Sequence, residues 1–205
     1  QRSTADSQVT NVFGVGNNWD CSWRAFIHVD NGAVRFYAPG GGRRRYEDDG
    51  SGGYQRGWYG ELFEAVSSSG AVSYKVSYRS RCANTFARVF EPPDLPAVTL
   101  LTEQRDAHGR TLVYSYVTNA YGQILLDAVT DWDGKTNRIE YDTNFTRFIR
   151  TVTDPYGRSA QLGYDSQGNL TRIVDVLGIT NRFDYDSNGL LTNLVTPYGA
   201  TAFSC

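Results

Sequence analysis

Two blocks of this chain are near-copies of one another. Residues 164–178 read Tyr-Asp-Ser-Gln-Gly-Asn-Leu-Thr-Arg-Ile-Val-Asp-Val-Leu-Gly; residues 185–199 read Tyr-Asp-Ser-Asn-Gly-Leu-Leu-Thr-Asn-Leu-Val-Thr-Pro-Tyr-Gly, a shift of 21 residues. A unit this short cannot bury an apolar face alone, so neighbouring units must stack. The period therefore points to a stacked or spiralling architecture rather than a compact enzyme domain.

Each unit reads as two short strands and two turns. The first turn places a small polar cluster before Gly168, where Asp and Asn can bond their own backbone and Gly accepts positive φ. The second is Asp175-Val176-Leu177-Gly178. Between them, residues 169–174 hold apolar side chains at 170, 173 and 174, and residues 179–185 alternate apolar and polar, as half-buried strands do. The pattern extends upstream with looser spacing. Tyrosines recur at Tyr116, Tyr141, Tyr164 and Tyr185, in steps of 25, 23 and 21. Second-turn glycines recur at Gly109, Gly134, Gly157, Gly178 and Gly199. The unit at Tyr141-Asp142 departs from the pattern: Phe145 stands at the glycine position, and Asn144 is the residue expected to take the left-handed conformation there.

Tyr-Asp-x-x-Gly-x-Leu followed by Asp-x-x-Gly-Arg, or a near variant, resembles the YD repeat of RHS-type proteins. Teneurins and the shell components of insecticidal toxin complexes share it. The resemblance covers roughly residues 103–205 and rests on Tyr116, Gly134, Tyr141, Asp142, Gly157, Tyr164, Asp165, Gly168, Gly178, Tyr185, Asp186, Gly189 and Gly199. It implies an all-β fold, an antiparallel β-hairpin ribbon that spirals into a hollow shell.

The first half reads as further strands: Ser22 to Val29, Ala33 to Ala38, Arg43 to Glu47, Leu62 to Val66, Val72 to Tyr78 and Asn84 to Phe90. Asp30-Asn31-Gly32 is a hairpin turn. Residues 1–18 look like an irregular lead-in and 48–60 like a Gly-rich irregular stretch with Trp58 and Tyr59 packing back. Val72 to Tyr78 alternates cleanly, so one of its faces meets solvent or a cavity. Pro92, Pro93 and Pro96 cannot sit in a central strand, and they set the expected boundary between a β-rich N-terminal region (1–96) and the repeats (97–205). Trp19, Trp23 and the Asp30-Asn31-Gly32 turn resemble the region that precedes the first YD units in RHS proteins. No long segment has helical periodicity, so almost no helix is expected.

Twenty Lys and Arg against 22 Asp and Glu leave a net charge of −2, which gives no reason to expect nucleic acid or a membrane surface as partner. Arg43-Arg44-Arg45, next to Glu47, Asp48 and Asp49, reads as a solvated hairpin end. No apolar run is long enough for a membrane span. Three cysteines are too few for a disulfide scaffold. Cys21 and Cys82 are candidates for one bridge in an exported protein, with two buried thiols as the alternative. The absence of methionine leads to the expectation of a processed or excised piece, and the unfinished strand at Cys205 to that of a missing C-terminal region or a neighbouring copy as partner.

The search for reaction chemistry is mostly negative. His28 and His108 lack partners at metal-ligand spacing. Gly14-Val15-Gly16-Asn17-Asn18-Trp19 breaks the dinucleotide pattern at Trp19. The carboxylates Asp106, Asp131, Asp133, Asp154, Asp165, Asp175 and Asp186 recur with the units, which turn chemistry explains better than a calcium ladder or an acid–base pair. Asp154-Pro155-Tyr156-Gly157-Arg158 shares letters with an RHS self-cleavage motif but lies in mid-repeat and carries no catalytic role. Asn144-Phe145-Thr146 and Asn169-Leu170-Thr171 are formal glycosylation sequons. The reading is of a non-enzymatic structural and interaction protein, secreted or at the cell surface, without cofactor or metal: part of an RHS/YD-repeat shell that contains or presents an effector. The alternatives are a self-assembling fibre or adhesin subunit, and a glycan-binding surface using Trp58, Tyr59 and Trp132.

Overall fold

The computed structural model describes residues 12–30, 33–47, 61–68, 71–91 and 96–203. They form 16 strands and no helix, and every strand pairing is antiparallel. Asn31-Gly32, the 48–60 stretch with Trp58 and Tyr59, residues 92–95 and Cys205 lie outside the described residues. The chain divides into two compact units, Gln1–Val12 with Cys21–Lys135, and Phe13–Asp20 with Thr136–Cys205.

The first unit holds β1 (Phe26–Asp30), β2 (Ala33–Tyr37), β3 (Arg43–Glu47), β4 (Leu62–Ser68), β5 (Ala71–Ser77), β6 (Ala83–Phe90), β7 (Val98–Arg105), β8 (Thr111–Thr118) and β9 (Ile124–Asp131). β1 starts later than the sequence reading because a turn closes first, with Arg24 N–H donating to Cys21 O at 3.1 Å. β7 is the junction. Val98–Arg105 pairs with β6 along its length; the other edge pairs with β1 at Val98–Leu100 and with β8 at Glu103–Arg105. Its first four residues are buried. The β1–β3 hairpins fold over β4–β6: Phe36 meets Phe86 edge-on at 5.5 Å, and Tyr46 stacks on Phe63 at 4.9 Å. Between these layers Glu61 is 4% exposed. It forms an ion pair with Arg44 and accepts a hydrogen bond from Tyr46 Oη at 2.8 Å, which satisfies a charge that burial would otherwise penalise. Of the alternating face Val72, Tyr74, Val76 and Tyr78, only Val76 is fully buried.

The second unit is a plain meander of β10 (Thr136–Tyr141), β11 (Ile149–Thr153), β12 (Ser159–Tyr164), β13 (Leu170–Val174), β14 (Thr180–Tyr185), β15 (Leu191–Thr196) and β16 (Gly199–Ala202), each hydrogen-bonded to the next. A single stripe of Ile139, Phe148, Ile149, Leu170 and Phe183 is buried. Phe13 and Val15, from the other end of the sequence, are buried in the same unit.

Candidate functional site

The turns account for the carboxylates. In the turns opening at Asp106, Asn119, Asp131, Asp154, Asp165, Asp175 and Asp186, the first residue donates its N–H to the carbonyl four residues on and accepts from the glycine N–H three residues on. Its side-chain Oδ1 accepts the N–H groups two and four residues on, at 2.8–3.0 Å. Glycine at positive φ completes each turn. The Leu190 N–H above all, against a smaller desolvation effect, holds the Asp186 carboxyl below the usual carboxylate range. At Asp154, desolvation opposes ionisation, but donation from the Arg158 backbone and side chain outweighs it and lowers the pKa. These oxygens are committed to the backbone, and no group of three or more His, Cys, Asp and Glu could hold a metal among the described residues.

The tyrosines link one unit to the unit before. Tyr116 Oη donates to Leu101 O at 2.6 Å, Tyr164 Oη to Ile149 O at 2.5 Å and Tyr185 Oη to Leu170 O at 2.6 Å, each acceptor lying 15 residues back. Each tyrosine sits at a register shift, after Ser115, Gly163 and Asp184 respectively. Such bulges re-aim a side chain. Thr171 and Thr192 Oγ1 cap the bulge carbonyls of Gly163 and Asp184 at 3.2 and 3.1 Å. The uneven repeat spacing now has a cause. Tyr116 pairs with Leu126, Tyr141 with Ile149, Tyr164 with Leu170 and Tyr185 with Leu191. The first-turn halves thus span 10, 8, 6 and 6 residues, while the halves from Leu126, Ile149 and Leu170 to the next tyrosine each span 15. All the variation lies in the first turns.

The turn at Asp142 shows one such variation. Asp142 N–H donates to Phe148 O, six residues on rather than four. The two added residues replace the glycine device, and Asn144 does not adopt the left-handed conformation expected of it: only Asn18 and Arg81 do so among described non-glycine residues. Phe145 instead stacks on Phe148 at 5.4 Å. Gly199 also differs from its counterparts. A two-residue hairpin at 197–198 joins β15 to β16, and Gly199 pairs with Thr196 in the ladder.

Phe13–Asp20, of which residues 13–18 read from sequence as part of an irregular lead-in, form a clasp in the second unit. Gly14 N–H donates to Arg147 O and Gly14 O accepts from Ile149 N–H, both at 2.9 Å. Asn17 N–H donates to Gly168 O at 2.9 Å, and its Nδ2 to Gln167 O at 2.7 Å. Asn18 Nδ2 donates to Gly189 O at 3.0 Å, and Trp19 Nε1 to Tyr185 Oη at 2.6 Å. Trp19 also meets Phe183 edge-on at 4.9 Å. Gly14 and Asn17 bridge Phe148 and Asn169, at the starts of alternate strands. The clasp thus meets two successive first turns, with bends at Val15 and Gly16 between the two bridges. Gly16 sits at φ 100 with a Cβ position 3.0 Å from the Tyr164 ring and 3.2 Å from Gly168 O, leaving room for no side chain.

Other singled-out residues are dispersed. Cys21 and Cys82 are half-buried thiols rather than a shared bridge. His108 is exposed beside Asp106, and Asn169 of the second sequon is buried. Trp132 is 62% exposed; Tyr156, Leu177 and Tyr198 stand at turn tips with 70, 78 and 89% exposure. None of the sequence signals marked Asn17, Asn18 and Trp19 for the clasp; the nearest was the resemblance that included Trp19.

Residues 164–201 match the family model described as RHS Repeat. That segment is an RHS repeat. The match covers the two units whose tyrosine bonds, threonine caps and clasp contacts coincide. No curated protein matches the chain. An RHS repeat suggests a structural and interaction role of the kind found in RHS-type proteins. No helix among the described residues is long and apolar enough to cross a membrane.

Proposed function

We propose that this chain forms part of the wall of an exported RHS/YD-repeat shell that contains or presents an effector. The invariant 15-residue tyrosine link supports this reading: it lets units be added in one geometry while first turns vary freely, which a wall needs and a catalytic site does not. Expressing the native reading frame, including whatever it encodes after Cys205, tests it. The polypeptide beyond the repeats is expected to resist protease while the repeats stay intact. Its ready digestion with an intact repeat region would sink containment, and ordered filaments at micromolar concentration would favour a fibre or adhesin subunit instead.

The exposed aromatic tips Trp132, Tyr156 and Tyr198 motivate a second reading, a glycan-binding surface, since an aromatic ring joins an apolar face to a polar edge or hydroxyl. A glycan array with the parent chain and a folded Trp132→Ala variant decides it. Signal lost in the variant supports the reading; no signal from the parent ends it.

A further inference from the structure

The β5–β6 turn breaks a rule that eight other turns of the same bonding keep. Tyr78 N–H donates to Cys82 O and Arg81 N–H to Tyr78 O, both at 2.9 Å, the same bonding that closes the Asp-x-x-Gly-x turns. Arg81 therefore occupies the glycine position, at φ 66. The equivalent residue is glycine in the turns at Gly41, Gly109, Gly122, Gly134, Gly157, Gly168, Gly178 and Gly189. The turn also lacks an Asp or Asn at its first position to accept the backbone N–H groups. A left-handed non-glycine residue is strained, and strain that persists points to a use for the side chain.

Arg81 lines a cleft of about 440 Å³. Lys75, Ser77, Thr85, Glu103 and Arg105 line it too. The sheet register sets this grouping: Lys75, Thr85 and Glu103 lie in one row across β5, β6 and β7, and Ser77, Ala83 and Arg105 in the next. Arg105 pairs with Glu103 at 3.1 Å. Lys75 and Arg81 have no ion pair among the described residues, although Glu64 faces Lys75 across β4 and β5. Three cations against one lining carboxylate give the cleft a net positive charge, which concentrates anions. Two guanidinium groups, an ammonium and two hydroxyls are donors suited to tetrahedral oxyanions. The volume falls in the range of small-ligand sites and exceeds what a bare anion fills.

We propose that this cleft binds the phosphate or sulfate group of a small organic monoester, with Lys75, Arg81 and Arg105 as its charge partners. The proposal does not depend on the reading of the chain as part of a shell wall. Titration calorimetry of the whole chain with glucose 6-phosphate, glucose 6-sulfate, inorganic phosphate, sulfate and plain glucose, at matched ionic strength, tests it. One or both esters are expected to bind, more tightly than the inorganic ions, and the tighter ester assigns the source. The decisive variant is Arg81→Gly. It should raise the melting temperature by relieving the backbone, yet weaken ester binding about tenfold or more. Lys75→Gln should weaken binding similarly while leaving the turn intact. The proposal is overturned if no anion binds, if esters bind no better than the inorganic ions, if Arg81→Gly binds as tightly as the parent, or if Arg81→Gly melts lower, which would mark Arg81 as a residue of the fold.

Discussion

At the scale of single residues, Tyr185 carries two of the bonds that matter: its Oη donates to Leu170 O and accepts from Trp19 Nε1. Tyr164 has the first kind, donating to Ile149 O. A buried acceptor or donor left without its partner costs about 1–3 kcal/mol. Tyr185→Phe is therefore expected to destabilise the chain by about 1–3 kcal/mol in urea unfolding; an unchanged urea midpoint would mean that these two bonds contribute nothing net. Two glycines allow a parallel comparison. Gly178 has φ 82 and open space at its Cβ position, so Gly178→Ala should cost only the left-handed strain, about 1–2 kcal/mol. Gly16→Ala meets the same strain and also backbone atoms at 3.2 Å, and should cost clearly more. Urea midpoints that rank the two the other way would show that the clasp is not held closely against the turns.

At the scale of elements, turns and clasp differ in how they hold. The turn carboxylates of Asp106, Asp154, Asp165 and Asp186 are all held below their ordinary range. A lowered folded value means stability that is present above the unfolded pKa, about 3.9, and lost as pH falls through the folded values. Urea midpoints should stay flat from about pH 6 to 5 and fall below about pH 4; a midpoint insensitive to acid would mean that the turn bonds contribute nothing net. The clasp holds by burial. Phe13 is 1% exposed, and Phe13→Ala should destabilise the unit it is buried in by about 3–5 kcal/mol and speed hydrogen exchange at the Ile149 amide, whose acceptor is Gly14 O. The strands and turns were legible in the sequence because their signals are local: Arg43 to Glu47 reads as a strand and is β3, and each Asp-x-x-Gly stop is self-contained. The clasp was not legible, because Gly14 and Asn17 pair with isolated backbone groups far along the chain and leave no alternation to read. Arg81 was hidden for a different reason, since nothing in an arginine announces a left-handed backbone. The Asn144 expectation failed because the loop lengthened instead of twisting.

At the scale of the whole molecule, fourteen tyrosines make alkaline pH the other limit of stability. Burial pushes the phenols of Tyr46, Tyr78, Tyr114, Tyr116 and Tyr185 above their usual range. A raised folded value means stability fully present below about pH 10 and lost as pH rises through the folded values. Ultraviolet titration should show tyrosine ionisation arriving together with unfolding above about pH 10; a smooth titration of every tyrosine with the fold intact would contradict the burial of these hydroxyls. The clasp has one more consequence, and it concerns time. Asn17, Asn18 and Trp19 bond to groups 150, 171 and 166 residues later. On the ribosome the clasp emerges well before its partners, so it must wait, unpaired, through the synthesis of the strands between. Contacts this distant in sequence slow folding, and half-made β ribbons expose pairing edges in the interval. The hairpins can close one by one as they appear, but the segment that aligns their ends can complete its docking only once the Asp186 turn exists, which makes residues synthesised long before that turn a late checkpoint of the fold.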